Sequence, residues 1–330
     1  MTGVTQECLN EEFFNRARSR YASSAMACNH LMKKLLVFLT LALIVMGSPR
    51  RTVAQVRKSC PEGVTLKASA GIAAQGSLIL TEVVAPKTVA KFSSEWDGNE
   101  MPLWQENLAP GVALHGLLGI DLEKAPGTYE WKVSWPGAEG DAESCSVTIT
   151  VRAGKFPTER LKVNPQFVQP NPEQEKQAEE DSKKMRAIYD TVTPERLWQG
   201  KFRLPLKNAT TGGNFGRRRV LNGEARSPHA GVDFPAAAGT AVFASQSGKV
   251  VLAEGLYYSG NTVVIDHGYG IYTMYAHLSK IGVQAGEMVK AGEELGKVGA
   301  TGRVTGPHLH WGLTINHARV NAMQIAQRQP

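Results

Sequence analysis

The sequence predicts an all-β protein in which two β-rich regions are joined by a segment that contains a helix. Short runs rich in valine, isoleucine, threonine and tyrosine recur between residues 60 and 322, and glycine-containing turns separate them. Only one charged stretch, near residues 173–190, has a helical composition. These observations divide the chain into a leader (1–54), a first β region (60–153), a linker with a helix (154–199), a second β region (200–322) and a C-terminal tail (323–330).

The leader has the pattern of a secretory signal peptide. Lys33 and Lys34 precede an apolar run over residues 35–46, and polar sequence with a small-residue site near Thr52-Val-Ala54 follows. The run is shorter than the roughly twenty residues that a membrane span needs. We therefore predict cleavage after Ala54 and export to the periplasm. The alternative is an uncleaved segment that anchors the protein in the inner membrane, facing the periplasm.

Cysteine usage agrees with export. Cys8 and Cys28 lie in the leader, which leaves Cys60 and Cys145 as an even pair that brackets the first β region. A disulfide between them would close a loop of about 85 residues and stabilise the fold by roughly 4 kcal/mol on the chain-entropy model. Two buried thiols are the alternative.

The charge balance argues against nucleic-acid binding. The whole chain has a formal net charge of +7, but the leader holds seven basic and three acidic residues. Its removal leaves 30 basic and 27 acidic residues, a net charge of only about +3. A nucleic-acid partner would need a concentrated basic face. A mild positive balance is compatible with an anionic cell-wall polymer.

The first β region is predicted to be an immunoglobulin-like β-sandwich, because its turn signals are spaced as in small sandwiches. The predicted strands are 64–68, 76–85, 91–95, 113–121, 127–135 and 144–152. Trp96, Trp104, Trp131 and Trp135 belong either to the core of this sandwich or to a glycan-stacking surface.

The linker is predicted to be extended at first and helical afterwards. Prolines at positions 157, 165, 170 and 172 keep its first part extended, and Pro172 suits the first turn of a helix that begins near Asn171. The helix would continue to about Asp190. Its composition is charged, so we expect an exposed helix that acts as a spacer or as a clamp beside a groove of the second β region.

In the second β region, four runs predict a compact antiparallel sheet: 240–243, 249–253, 262–266 and 271–275. Four of the chain's eight histidines lie in three motifs of this region, His229-Ala-Gly-Val-Asp233, Ala276-His277-Leu278 and His308-Leu-His310. In an extended chain, residues two or four apart point to the same face, so the members of each pair can converge. Three protein ligands with an open fourth position are typical of catalytic zinc. The motifs together therefore predict a hydrolytic metal site.

Five motifs occur in the order seen in a known family: Asn214-Phe-Gly-Arg-Arg, Ser227-Pro-His-Ala-Gly-Val-Asp-Phe-Pro-Ala, Gly260-Asn-Thr-Val-Val-Ile-Asp-His-Gly, Met274-Tyr-Ala-His-Leu and Gly302-Arg-Val-Thr-Gly-Pro-His-Leu-His-Trp. Residues 200–322 thereby resemble the lysostaphin/LytM-type zinc metallopeptidases, which cut peptidoglycan cross-bridges. The resemblance implies that His229, Asp233 and His310 bind Zn²⁺. It also implies that His308 and His277 are catalytic without binding the metal; we favour His308 as the base and His277 as the stabiliser of the oxyanion.

The resemblance leaves two function classes. The first is an exported zinc endopeptidase that hydrolyses peptide cross-links of peptidoglycan. The predicted signal peptide and disulfide favour the D-alanyl to diaminopimelate bond over a glycine bridge as its target. The second is a noncatalytic binding module that activates cell-wall amidases. Degenerate relatives of the second kind lack one or more of the five site residues, and here all five are present. The residues therefore favour the enzyme.

The remaining candidates are weaker. His115, His267 and His317 are interpreted as structural or surface residues, whereas Arg217 and Tyr275 are candidates for lining a substrate groove. In some members of the resembled family an upstream segment covers the metal and holds the enzyme latent. By that analogy, Asn208 or Asn214 is a candidate for the open metal position.

Overall fold

The computed structural model describes residues 55–89, 91–106, 111–209 and 212–328. All of them belong to one compact unit that begins at Val53. The predicted leader with its apolar run at 35–46, including Cys8 and Cys28, lies outside the described residues. Among the described residues, no helix has the length and apolar character needed to cross a membrane.

The first β region consists of two five-stranded sheets, with the strand orders β1-β2-β4-β8-β7 and β3-β10-β9-β5-β6. The strands are β1 (Val56–Ser59), β2 (Thr65–Ala68), β3 (Ile72–Ala74), β4 (Leu78–Ala85), β5 (Ser93–Trp96), β6 (Asn99–Glu100), β7 (Trp104–Gln105), β8 (Val112–Gly119), β9 (Gly127–Pro136) and β10 (Ala142–Arg152). Inward-facing side chains of both sheets share one core, which includes Leu66, Ile79, Val133 and Ile149. This part is therefore a β-sandwich, and its likeness to immunoglobulin domains stays a prediction.

The predicted disulfide is present between Cys60 and Cys145, whose Cα atoms lie 6.0 Å apart. It joins the end of the first strand to β10. Of the four tryptophans, Trp104, Trp131 and Trp135 are buried, as expected for core residues. Trp96 is partly exposed and packs against Tyr129, with ring centroids 5.8 Å apart.

The linker contains a strand, β11 (Thr158–Leu161), and a helix, α1 (Pro172–Tyr189). The helix begins as predicted: Asn171 and Gln174 form a reciprocal capping box, and Pro172 occupies the first turn. The strand β11 pairs in parallel with β12 (Arg218–Leu221), which pairs with β13 (Glu224–Arg226). The extended part of the linker therefore forms the edge of a three-stranded sheet.

The second β region is a nine-stranded sheet in which every strand pair is antiparallel, as predicted. Its strands are β14 (Gly231–Pro235), β15 (Ala241–Phe243), β16 (Gly248–Leu256), β17 (Gly260–Asp266), β18 (Ile271–Ile281), β19 (Met288–Val289), β20 (Glu294–Val298), β21 (His308–Ile315) and β22 (Ala318–Val320). The main path runs β14-β21-β18-β17-β16-β19.

The core of the nine-stranded sheet extends into the sandwich. Leu78 and Leu117 of the sandwich belong to the same buried cluster as Trp311 and Ile315. The predicted tail contributes as well, because residues 323–327 form the helix α2 (Met323–Gln327), whose Ile325 is fully buried. The two β regions are therefore packed against each other through apolar side chains.

Strand alternation gives the nine-stranded sheet two different faces. Leu309 and Trp311 point into the main core, so the intervening His310 points to the opposite face. That second face also carries Tyr272 and Val264, which pack against Met185, Ile188 and Tyr189 of α1. The helix thus lies on the same face of the sheet as His310, but no residue of α1 lines the groove beside the metal centre, so the role of a clamp stays a prediction.

His267 is a structural residue, as interpreted from the sequence. It is fully buried, and its ring nitrogens lie 2.7 Å from the Ser247 carbonyl and 2.7 Å from Thr273 Oγ1. Burial lowers the pKa of His267 to about 4, although the hydrogen bond to Ser247 opposes this. The folded protein therefore keeps this imidazole neutral at a pH where the unfolded chain protonates it.

We expect this histidine to make the protein sensitive to acid. Between pH 6.5 and 4 the unfolded state binds a proton that the folded state does not, so the free energy of unfolding falls by about 3 kcal/mol on acidification through this range. Urea unfolding in chelator, at several pH values, measures the effect. The matched variant His267→Gln should show a shallower pH dependence, and identical slopes for the two proteins would contradict the assignment.

Candidate metal centre

Two neighbouring strands bring the predicted metal ligands together. The strands β14 and β21 are paired so that Asp233 lies opposite His310 and Pro235 lies opposite His308. His229 precedes β14 by two residues and is almost completely buried. The pairing therefore unites residues that are 77 and 81 positions apart in the chain.

The three predicted ligands converge on one point. His229 Nε2 lies 3.0 Å from Asp233 Oδ1 and 2.8 Å from His310 Nδ1, and His310 Nδ1 lies 3.1 Å from Asp233 Oδ1. Donor atoms at about 2.1 Å from a tetrahedral zinc ion are about 3.4 Å apart. An outward shift of a few tenths of an ångström thus fits these three atoms around one ion. Two imidazoles and a carboxylate are also the donor types that zinc prefers.

The surrounding backbone orients the two histidine ligands. His229 Nδ1 donates to the carbonyl of Asn214 at 2.9 Å, which leaves the Nε2 lone pair facing the site. The first motif requires glycine at position 231, because a Cβ there would collide with the imidazole of His310. The motif thus supplies two ligands, His229 and Asp233, and its glycine leaves the space that His310 needs.

His308 and His277 lie next to the ligand cluster, as the sequence predicts. His308 Nδ1 donates to the Gly306 carbonyl and His277 Nδ1 donates to the Thr301 carbonyl, both at 2.9 Å. Each Nε2 therefore keeps a lone pair. The Nε2 atom of His308 lies 3.7 Å from Asp233 Oδ1, and the rings of His277 and His308 have centroids 4.9 Å apart.

His277 reaches the site through an unusual backbone conformation. Regular alternation along β18 would place it on the core side, because Tyr275 is a core residue and Ala276 lies opposite His310. Its φ of 63° is left-handed, and a register shift follows at the next strand positions. Such conformations are uncommon for residues other than glycine and are concentrated at functional sites.

The electrostatics of the site favour neutral histidines and an ionised aspartate. Burial lowers the pKa of His229 to about 4, although its hydrogen bond with Asp233 opposes this. Burial, together with the neighbouring His310 and His308, lowers the pKa of His277 to about 3. Burial alone would raise the pKa of Asp233, but the close contacts of its carboxylate with His229 and His310 outweigh this effect and hold that pKa well below its usual range. Neutral imidazoles and a carboxylate are the protonation states that bind metal ions.

A groove of about 240 Å³ adjoins the cluster and includes Asp233, His277 and His308 in its walls. The sequence-based hypothesis for Tyr275 is wrong: this residue is fully buried, and its hydroxyl is bonded to Ser245 and Thr273 within the core. Arg217 is not among the groove residues either, because it forms an ion pair with Glu159 at 2.8 Å.

Two arginines of the groove, Arg219 and Arg303, escaped the sequence reasoning. Arg219 is two residues beyond Arg217 in β12, and Arg303 lies within the motif that ends in His310. Strand alternation along residues 217–219 places Arg219 on the face opposite Arg218, which is exposed, and this alternation is the signal in the sequence that distinguishes the two.

Of the two asparagine candidates, only Asn214 is at the cluster. Its Nδ2 lies 3.4 Å from Asp233 Oδ2, whereas Asn208 lines a different cavity, with Phe243. Latency through Asn214 stays a prediction. The histidines outside the motifs lie elsewhere: His317 is exposed beside Asp190, and His115 faces Glu106.

A His-His-Asp cluster on an antiparallel sheet, with two further histidines at an adjoining groove, is typical of a hydrolytic metal site. The sequence comparison agrees with this class. Residues 227–322 match the model of Peptidase family M23, so this part of the chain is similar to M23 peptidase domains.

Relatives of known description agree with this family. Over 112 residues the chain is 47% identical to the peptidoglycan DD-endopeptidase ShyA of Vibrio cholerae, a match that covers 34% of this chain and 26% of that protein. Over 102 residues it is 44% identical to the DD-carboxypeptidase/endopeptidase Mpg of Neisseria meningitidis, covering 31% of this chain and 24% of that protein. The matched part thus spans about a quarter of the length of these relatives.

A solved structure extends the likeness beyond the matched domain. A Pseudomonas aeruginosa protein assigned to peptidase family M23 superposes with a TM-score of 0.52 at 26% identity, covering 84% of this chain and 97% of that structure. The overall arrangement is therefore similar to that of an M23 protein.

Proposed function

We propose that this protein is an exported, zinc-dependent endopeptidase that hydrolyses peptide cross-links of peptidoglycan. The observation that carries the proposal is the convergence of His229, Asp233 and His310 on one point, with His277 and His308 beside it. Relatives named as peptidoglycan DD-endopeptidases support peptidoglycan as the substrate. The disulfide supports an oxidising compartment such as the periplasm.

A zinc ion held by His229, Asp233 and His310 would activate water at neutral pH and polarise the scissile carbonyl. The Nε2 lone pair of His308 points to the same side as the ligands and is free to accept the proton of the attacking water. After the carbonyl is attacked, that proton passes to the nitrogen of the leaving amine, and the peptide bond breaks. In the resting protein the Thr301 and Gly306 carbonyls hold the proton of each catalytic imidazole on Nδ1.

His277 is assigned the role of stabilising the oxyanion that forms at the carbonyl oxygen. In the resting protein its Nε2 has no proton, because Nδ1–H is bonded to the Thr301 carbonyl and burial keeps the ring neutral. To donate a hydrogen bond to the oxyanion, Nε2 must take up a proton from the solvent of the adjoining groove, because the proton of the attacking water passes through His308 to the leaving amine. The ring returns this proton to the solvent when the products leave. An adjacent negative charge is one of the factors that favour the protonated form of a histidine.

The alternative role, a noncatalytic module that activates amidases, is not favoured by any feature of the site. All five residues of the resembled motif are present, and the structure brings them together. A module that only binds would not require two imidazoles with their lone pairs directed at the ligand cluster.

Digestion of purified sacculi tests the proposal and the dependence on metal. The purified protein is expected to release defined cross-link cleavage products, identified by mass spectrometry. A chelator should abolish the release because it removes the ion from the three ligands, and added zinc should restore it. Unchanged release in the presence of chelator, or an absence of any cleaved cross-link, would rule out the proposed reaction.

A further inference from the structure

Two cations line the groove beside the metal centre and have no role in the proposed hydrolysis. Arg219 is on β12, and Arg303 lies between β20 and β21; both border the groove that contains Asp233, His277 and His308. A group bound to these arginines would therefore lie close to the bond that is cut.

The acidic residues of the groove are already engaged by other partners. Glu159 accepts a hydrogen bond from Arg217 at 2.8 Å. Asp233 Oδ1 faces His229 and His310, and Oδ2 lies 3.7 Å from the Arg219 guanidinium, beyond hydrogen-bond distance. Neither carboxylate therefore satisfies the donors of the two groove arginines.

Both arginines keep unused hydrogen-bond donors. Arg303 forms no ion pair with any described carboxylate, and its guanidinium lies over the ring of Tyr258, 4.4 Å from the centroid. Stacking of this kind holds the guanidinium plane and leaves its edge free to donate. The buried Nε of Arg219 has no partner among the described residues.

The two positive charges also influence each other. Burial lowers the pKa of Arg219, although the carboxylates of Asp233 and Glu159 oppose this, and burial together with the charge of Arg219 lowers the pKa of Arg303. Two arginines held close together and partly desolvated are unfavourable unless an anion joins them. A further anion between the two guanidinium groups would offset their mutual repulsion.

We propose that Arg219 and Arg303 form a subsite that binds a free carboxylate on the residue after the scissile bond. This inference rests on the proposed endopeptidase function. A diaminopimelate residue that supplies the amine of a cross-link keeps a carboxylate on the same carbon, directly beyond the amide nitrogen. A glycine bridge has no carboxylate there, because each glycine carboxyl is part of the next amide. A guanidinium recognises a carboxylate through parallel N–H donors, so the pair selects the first kind of bond.

The experiment compares two synthetic substrates, an acyl-D-alanyl-D-alanine with a free C-terminal carboxylate and its carboxamide. The zinc-loaded protein is expected to cleave the acid with a kcat/KM about 10- to 100-fold higher than the amide. In Arg303→Gln and Arg219→Gln this ratio should fall towards one, with the larger loss on the acid.

Arg218→Gln is the matched control, because it removes the same charge from the adjacent, exposed position on β12. It should keep the preference of the parent protein. Circular dichroism and zinc content verify that each variant is folded and loaded. The inference is overturned if the parent protein does not prefer the acid, or if both groove variants lose activity equally on the two substrates.

Binding separates this inference from the proposed reaction. The His308→Ala variant is used to measure dissociation constants for the acid and the amide without turnover. If acid-selective binding is present and disappears in the double variant His308→Ala/Arg303→Gln, the subsite stands even if sacculi are not digested. If sacculi are digested but acid and amide bind equally, the subsite is wrong and the reaction stands.

Discussion

Replacement of His308 by alanine is expected to lower kcat/KM on cross-linked muropeptides by roughly 10²- to 10⁴-fold, the usual contribution of a general acid or base. The reason is geometric: His308 Nε2 is held beside the ligand cluster by the Nδ1–H bond to Gly306, and alanine removes the nitrogen that is assigned to accept the proton. Zinc content should stay at the level of the parent protein, because His308 is not one of the three ligands. Steady-state kinetics and metal analysis of the same preparation measure both quantities.

His317→Ala is the matched control for this prediction. His317 is exposed and lies beside Asp190, away from the groove, so its removal should leave kcat/KM within error of the parent value. An active His308→Ala protein would assign the proton transfer to His277 or to another group. Loss of zinc in the same variant would instead make His308 a ligand.

Replacement of Asp233 by asparagine is expected to abolish activity through loss of the metal. Asp233 supplies the only carboxylate among the three converging donors, and it is held ionised by His229 and His310. Removal of outer groups around a zinc site already costs 10- to 100-fold in affinity, so loss of a ligand should cost at least about 100-fold. Titration with zinc in a competing chelator measures the affinity, and sacculus digestion measures the activity.

The control for the carboxylate is Asp190→Asn, a neutralisation at an exposed position beside His317. It should bind zinc like the parent protein. If Asp233→Asn retained tight zinc binding, the three-ligand assignment would be wrong, and a different donor would have to complete the site.

Much of the fold could be predicted from local patterns. The helix α1 begins at Pro172 because Asn171 and Gln174 satisfy each other's backbone donors, a signal carried entirely by neighbouring residues. The strands β9 and β10 have alternating burial along their lengths, as their sequences indicate. Short strands such as β6 and β7 were missed, because two residues contain too little pattern to identify.

The sequence predicted which residues converge at the site, but not which residues line the groove beside it. Strand periodicity allows His229 to meet Asp233 and His308 to meet His310, whereas the ligand set His229, Asp233 and His310 is implied by the resemblance to the lysostaphin/LytM-type family. Tyr275 was misplaced because its polar hydroxyl is satisfied inside the core, by Ser245 and Thr273, and sequence does not show such partners. Arg219 and Arg303 were missed because they belong to the groove only through the packing of separate loops and strands.

The sequence by itself determined the donor types, the spacing within each motif, the cysteine pair and the capped helix, since each depends on residues a few positions apart or on composition. Only the tertiary structure decided that β14 pairs with β21, that His277 turns towards the site, and that two arginines share its groove. The physical reason is that these features arise from long-range strand pairing and from a left-handed backbone residue. Neither leaves a periodic signal in the local sequence.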